Sequence, residues 1–297
     1  MTELESDILD LMKEDYSPYS ISVLLGIDMK TLYYEMNKLK YSFQNTRRII
    51  HNGNVQDTGR EQNEYAIWTN ENNKHIKLLI VGDMHVGSKN ESRKNMDLAY
   101  NTAINENIHI ALNLGDLIDG ELGGPKYYRN VDSQVERFID TYPMDKNIVN
   151  LVCLGNHDYY INTETNIGKS INEERPDIIC MGYGIQTVKI KDDKITLRHP
   201  IAHEQEPSGG LILRGHTHIS MFQDNGYEYC PCISNVLWNG NKPGFYTVEI
   251  EFKDGLIKKC LFVNHIIYDG KVIKVGEFLT RFKTDEKAKQ KTIGHIL

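Results

Sequence analysis

A set of polar residues in this chain shares one placement: each follows directly on a short apolar run. Asp83 and His85 stand in Gly82-Asp83-Met84-His85, and Asp116 in Gly115-Asp116-Leu117-Ile118-Asp119-Gly120. Asn156 and His157 stand in Gly155-Asn156-His157-Asp158, His199 ends Lys-Ile-Thr-Leu-Arg, and His216 and His218 stand in Gly215-His216-Thr217-His218. Carboxylates and neutral imidazoles are ligands for first-row divalent cations, and none of the five segments carries a thiol. An x-y-x spacing, as in Asp83/His85 and His216/His218, sends two side chains from an extended loop to the same side. A single central carboxylate, Asp116, can bridge two cations roughly 3.5–4 Å apart, the separation found in two-metal hydrolases. Glycine before each cluster permits tight turns and close backbone approach. Mn²⁺ is the first expectation, with Fe, Zn or Ni also admitted by the ligand set.

These clusters must be brought together by the elements that precede them. Ile76–Val81, Ile108–Leu114 and Ile148–Leu154 are apolar runs that alternate with helical texture such as Ser92–Asn105. That pattern predicts buried strands in βαβ units, whose carboxyl ends are where an open α/β sheet binds ligands. Gln186–Ile190, Lys194–Arg198, Leu211–Arg214, Tyr246–Phe252 and Ile257–Val263 read as further strands. With turns such as Lys253-Asp254-Gly255 among them, the sheet is expected to be mixed, with an antiparallel half toward the C-terminus.

The motifs GDMH, GDLID, GNHD, a lone His after a strand, and GHTH resemble the five ordered motifs of the calcineurin-like metallophosphoesterases, over roughly Ile76–Val263. The resemblance implies an αββα four-layer sandwich with mixed sheets. It also implies two divalent cations: Asp83, His85 and His218 would hold the first, and Asn156, His199 and His216 the second, with Asp116 bridging. His157 would be the general acid, oriented by Asp158. The implied reaction is in-line displacement at phosphorus by a hydroxide activated between the cations. His203, in Pro-Ile-Ala-His-Glu-Gln, competes with His199, which is preferred because it directly ends a strand. Asp119 is either a partner of the ligands or a turn residue. His51, His75, His109, His265 and His295 belong to no cluster and are read as structural or surface histidines.

The same resemblance narrows the substrate. Phosphoprotein phosphatases of the superfamily carry GDxxDRG and GNHE, whereas this chain has Gly120-Glu121 and Asp158 at those places. Gly82–Lys89 and GDLIDG are similar to the nuclease branch, the double-strand-break-repair exonucleases and the small subunit of the archaeal D-family polymerase. DNA is therefore the expected substrate. The alternatives are a nucleotide or other small phosphoester, or a DNA-binding regulator that uses the domain as a sensor.

Residues 1–68 read as a separate, winged helix-turn-helix-like unit. Thr2 and Glu5 form a capping box before Leu4, Ile8 and Leu11. Ser17-Pro18 starts a second helix with Ile21, Leu24 and Leu25 that stops at Gly26, and Asp28 caps a third with Leu32, Met36 and Leu39. Arg47–His51 and Tyr65–Trp68 are expected to pair as the wing. Lys30, Lys38, Lys40, Arg47, Arg48 and Arg60 give this stretch a basic face suited to phosphates. Residues 69–75 read as a linker, 76–282 as the phosphoesterase domain and 283–297 as a charged tail.

The net charge of −7 excludes a generally basic, nucleic-acid-coating surface. Five scattered cysteines, with Cys230-Pro-Cys232 lacking C-x-x-C spacing, read as free thiols of a reducing compartment. The acidic start has neither a basic nor an apolar signal region, and no run is long enough to span a membrane, so the chain is expected to be cytoplasmic and without a membrane partner. The helix-turn-helix and the antiparallel C-terminal strands each offer a homodimer surface.

Overall fold

The computed structural model describes residues 74–122, 125–128, 130–161, 166–201, 210–222, 226–235 and 241–282. Of the N-terminal part it describes residues 2, 4, 6–8, 11, 18–28, 31–32, 48–52 and 64–68. His203, His295, most of the expected linker, the third helix beyond Leu32 and the charged tail lie outside the described residues.

Two mixed sheets pack face to face. The first holds β3 (His75–Val81), β4 (Ile110–Asn113), β5 (Val149–Leu154) and β6 (Ile178–Tyr183) in parallel. On its other side β11 (Gly244–Lys253) runs antiparallel to β3, followed by β12 (Leu256–Tyr268) and β13 (Lys271–Arg281). The second sheet has the order β1 (Arg48–Asn52), β2 (Glu64–Trp68), β7 (Ile185–Ile190), β8 (Asp193–Arg198), β9 (Leu211–Arg214) and β10 (Tyr227–Tyr229). The parallel strands are apolar on both faces because both are covered. From β4, Ile110 and Leu112 point into the core between the sheets, whereas Ala111 belongs to the core beneath the helices.

Three helices cover the outer face of the first sheet: α2 (Arg93–Asn105), α3 (Val131–Thr141) and α5 (Ile167–Glu174). In α2, Met96, Ala99, Tyr100 and Ala103 fall at helical spacing and are buried. Ser92 caps this helix by accepting from the Asn95 N–H, and Asn130 caps α3 through the Ser133 N–H. No helical residue among those described joins the core between the sheets, and Thr187, Lys189 and Lys194 stand exposed on the far face of the second sheet. The described residues thus supply three of the four expected layers, α/β/β, and on the far face of the second sheet Thr196, Arg198 and Ile212 are buried.

The N-terminal part departs from expectation. Ile8, Ile21 and Leu32 pack into a small cluster of their own beside helix α1 (Pro18–Leu25), with Leu4, Leu11, Leu25 and Ile27 against it. The expected ribbon forms, with Arg48 opposite Trp68. It is not confined to a separate unit, however, because β2 pairs in parallel with β7, Tyr65 opposite Val188. Alternation along Tyr65-Ala66-Ile67 puts Tyr65 and Ile67 into the core between the sheets, at 2% exposure each. The sequence boundary at residue 68 falls where β2 ends, so β1 and β2 of this sheet lie on its N-terminal side.

This placement has a measurable consequence. Ile67→Ala should lower unfolding free energy by about 2–4 kcal/mol in a denaturant titration followed through the sandwich, the usual cost of truncating a fully buried isoleucine. Unchanged stability would mean that the ribbon is detached from the sheet.

Candidate metal centre

The five segments singled out in the sequence meet at one end of the sandwich. Those after β3, β4 and β5 come from the parallel half of one sheet. His199 and the pair His216/His218 follow β8 and β9, which are parallel neighbours in the other. The loops are sewn together through their backbones. Asp83 N–H donates to the Gly115 carbonyl (2.8 Å), and Met84 and His85 N–H both donate to the Asp116 carbonyl (2.8 and 3.0 Å). His216 N–H donates to the Asp83 carboxylate (3.0 Å) and His157 N–H to Asp116 Oδ1 (2.9 Å).

Several candidate ligands sit on strained backbone. Asp83, His85, Asp116, His216 and His218 all have positive φ, between 48° and 75°. Such left-handed residues are uncommon outside glycine, though Asp and His tolerate the region better than most. They persist where surrounding structure over-determines them, and functional sites are where they cluster. The glycines leave the room that this crowding needs. A Cβ at Gly155 would meet Asp116 Oδ1 at 2.2 Å, and one at Gly115 would meet His199 Nδ1 at 2.6 Å.

Three trios of donor atoms result: Asp83/His85/His218, Asp116/His199/His216 and, sharing His85 with the first, His85/Asp119/His157; the first two hold the expected ligands. Within the first, His85 Nε2 faces His218 Nε2 at 3.2 Å, and His218 Nε2 lies 3.3 Å from Asp83 Oδ1. In the second, His199 Nε2 lies 3.1 Å from Asp116 Oδ2. Asn156 Oδ1 faces His199 Nε2 at 3.0 Å and His216 Nδ1 at 2.8 Å. Asp116 Oδ2 also lies 3.7 Å from His85 Nε2, so one carboxylate oxygen reaches both the first trio and the second. Atoms held about 2.0–2.1 Å from one cation are roughly 3.0–3.4 Å apart in octahedral or tetrahedral geometry. Most of these separations match that spacing, so the residues fit divalent cations.

Neighbouring groups orient the imidazoles. The Nδ1–H of His199 donates to the Leu114 carbonyl (2.7 Å), which leaves Nε2 as the nitrogen able to coordinate a cation. His157 Nδ1–H donates to the Asp119 carbonyl (2.8 Å), leaving its Nε2 free to act toward a substrate. Its ring meets that of His85 edge to face at 4.6 Å.

One role is corrected here. Asp158 does not touch the His157 ring. Its buried carboxylate accepts the N–H groups of Leu117, Ile118 and Gly155, clamping the second loop to the third. The one-turn helix α4 (Asn156–Tyr159) points this side chain back at its own N-terminus. Burial, followed by the Asp116 charge, pushes the Asp158 carboxyl up to about 7.

Of the two readings left open for Asp119 the geometry favours the partner of a candidate ligand, while Gln134 and Cys232 were missed in the sequence. Asp119 Oδ1 lies 3.3 Å from His85 Nδ1, and its other oxygen pairs with Lys126 at 2.7 Å. Buried Gln134 accepts from the Gly120 N–H and donates to the Gly120 carbonyl, bracing the loop that carries Asp116. Cys232, read as an inert thiol, donates to the Asp83 carbonyl (3.1 Å) and hydrogen-bonds the His218 imidazole. Buried thiols carry little sequence signal, so only the fold reveals this contact. His75, His109 and His265 lie elsewhere, bonded to Glu249, the Asn147 carbonyl and Thr247 respectively.

A parallel-strand sandwich ending in two His/Asp trios that share a carboxylate defines a metal-dependent hydrolase site. Residues 76–187 match the family model described as Calcineurin-like phosphoesterase. Over that stretch the chain is similar to the calcineurin-like phosphoesterases, and it is an enzyme of the metal-dependent phosphoric ester hydrolase class. No curated protein matches it. Among solved structures it is similar to GAP50, the anchor in the inner membrane complex of Plasmodium, at 13% identity over 72% of this chain and 91% of that one (TM-score 0.46). It is also similar to the Pseudomonas putida nuclease MPE, at 18% identity over 57% and 83% (TM-score 0.32). The calcineurin-like phosphoesterase YfkN from Bacillus subtilis is a third, at 11% identity over 74% and 95% (TM-score 0.31). No described helix is long and apolar enough to cross a membrane.

The electrostatics predict how a cation enters. Burial opposes charge on His199 and His218, but Asp116 raises the first to about 9 and Asp83 raises the second to about 11. Both must lose a proton to coordinate, so cation affinity should rise with pH between about 7 and 9. Calorimetry of Mn²⁺ binding at pH 7, in buffers of different ionisation enthalpy, should report net release of at least one proton. Zero release would mean that neither imidazole was protonated.

Proposed function

We propose that this enzyme hydrolyses the phosphodiester bonds of DNA with a pair of divalent cations. The observation that carries the two-cation reading is the Asp116 carboxylate, 3.1 Å from His199 Nε2 and 3.7 Å from His85 Nε2 on one oxygen. Asp83, His85 and His218 would hold one cation, and Asn156, His199 and His216 the other. When bound, such a pair supplies a nucleophile active at neutral pH and positive charge for the phosphoryl oxygens.

The chain's own residues complete the chemistry. The Asp119 carbonyl fixes the His157 ring, so that Nε2 is the nitrogen able to deliver a proton to the departing oxygen. Burial lowers the His157 imidazole from its ordinary value, against the pull of Asp116. A less basic imidazole makes a stronger acid once protonated. Support for DNA comes from the nuclease-like Gly82–Lys89 and GDLIDG segments and from the basic residues within 1–68. Those residues would contact the phosphate backbone from a helix-turn-helix-like unit.

The test uses Mn²⁺-loaded wild type, Asp116→Asn and His157→Ala on end-labelled DNA and on bis-p-nitrophenyl phosphate. Asp116→Asn should bind less metal and lose turnover of both. His157→Ala should keep its metal and lose about 10²–10⁴-fold on DNA, whose leaving alkoxide needs a proton. It should lose far less on the nitrophenyl ester, whose leaving group needs none. Ester hydrolysis with DNA untouched would move the substrate to nucleotides and other small phosphoesters.

A further inference from the structure

Among the described residues, the site's candidate ligands differ in exposure. Asp83, His85, Asp116, His199 and His218 are buried, whereas Asn156 and His157 are half-buried and His216 is exposed. The side chains that continue this open edge are aromatic. Tyr159 and Tyr160 follow His157-Asp158 directly, and Tyr160 N–H donates to the Asn156 carbonyl (2.9 Å). They are 48% and 41% exposed, and their rings meet edge to face at 5.1 Å. Tyr159 meets Tyr183 in the same manner at 5.4 Å, which fixes the ring in place.

A second pair, Tyr127 and Tyr128, is 65% and 39% exposed and comes from the loop that follows Asp119. Gln134 donates to both the Gly120 and Tyr128 carbonyls, tying this pair to Gly120. Gly120 in turn packs against the His157 carbonyl, so closely that a Cβ there would come within 2.2 Å of it. Both pairs therefore hang from the two loops that meet at His157. Phenol rings left in water at such an edge are surfaces for a flat apolar partner.

We propose that Tyr159 and Tyr160, with Tyr127 and Tyr128 across the loop, stack on an unpaired base of single-stranded DNA and so place its neighbouring phosphodiester at His157. This rests on the nuclease reading above and specifies its substrate. Every base has a π-face, so the platform is indifferent to sequence. A duplex offers such faces only where its end frays, so single strands and unpaired ends are cut in preference to blunt duplex.

The experiment compares two single-stranded oligonucleotides of equal length, one with normal bases and one abasic throughout, each with Mn²⁺. Wild type should favour the base-bearing strand by roughly ten- to a hundredfold in kcat/KM, the effect of a lost base–aromatic stack. In Tyr159→Ala/Tyr160→Ala that ratio should fall toward one, while Tyr159→Phe/Tyr160→Phe should keep it, because the ring face and not the hydroxyl is used. Equal cleavage of both strands by wild type overturns the platform without any variant, and so does an alanine pair that retains the preference. If wild type turns over bis-p-nitrophenyl phosphate but cuts neither strand, the nuclease reading itself falls, and this inference with it.

Discussion

The Asp116 carboxylate is the point on which the remaining geometry hangs. It is fully buried, it accepts the His157 N–H, and it faces imidazoles from both sheets. Burial alone would neutralise it, yet His199, His85 and His157 together hold it well below the usual carboxylate range. An isolated buried charge is costly unless it is paired and hydrogen-bonded. Asp83 stands in the same position against His218. Protons on His199 and His218 offset the two carboxylates, and cations replace those protons when they bind. The site is therefore arranged around positive charge whichever carrier supplies it, and this arrangement suits a dianionic phosphoryl transition state.

Such a site demands that two sheets keep their relative position to a fraction of an ångström. The inter-sheet core supplies that rigidity, with Leu112, Leu114 and Leu151 from one sheet packed with Ile195, Leu197, Leu211 and Leu213 from the other. Leu114 serves twice, because the carbonyl that follows this core side chain accepts the Nδ1–H of His199. A shift of one sheet against the other would break this bond and the Asp116–His199 contact together. The positive φ angles at Asp83, Asp116 and His216 are the local cost of turning each loop inward within a residue of its strand.

The sequence made the site more legible than the fold. Ligand types, their order and the preceding apolar runs were all visible, because parallel buried strands write themselves as continuous hydrophobic segments. Leu211–Arg214 was read to the residue. By contrast, β13 went unread because its Lys, Glu and Gly break the pattern of a strand that lies exposed along the edge of its sheet. Helices α3 and α5 were missed as well, although Val131, Val135 and Phe138 have helical spacing. The ribbon's partner could not be read at all. Pairing of Tyr65 with Val188 joins residues more than a hundred positions apart, and periodicity carries no such information. The role given to Asp158 failed for a local reason. Adjacency to His157 says nothing about direction once both residues lie on one helical turn, and there the carboxylate turns back onto backbone N–H groups.

Burial around the centre also determines how a substrate must arrive. Residues 81–88 and 111–120 are buried throughout, and so is His199, which closes the floor and two walls. Solvent reaches the donor atoms past Asn156, His157 and His216, all on one edge. The nitrogen that His157 leaves free is Nε2, because Nδ1–H is committed to the Asp119 carbonyl. Asp119 is in turn fixed by Lys126 and lies against His85, so the proposed proton donor and the nearest candidate ligand histidine share one support. Approach direction, proton delivery and ligand placement are thus consequences of the same loop, the one that begins at Asp116.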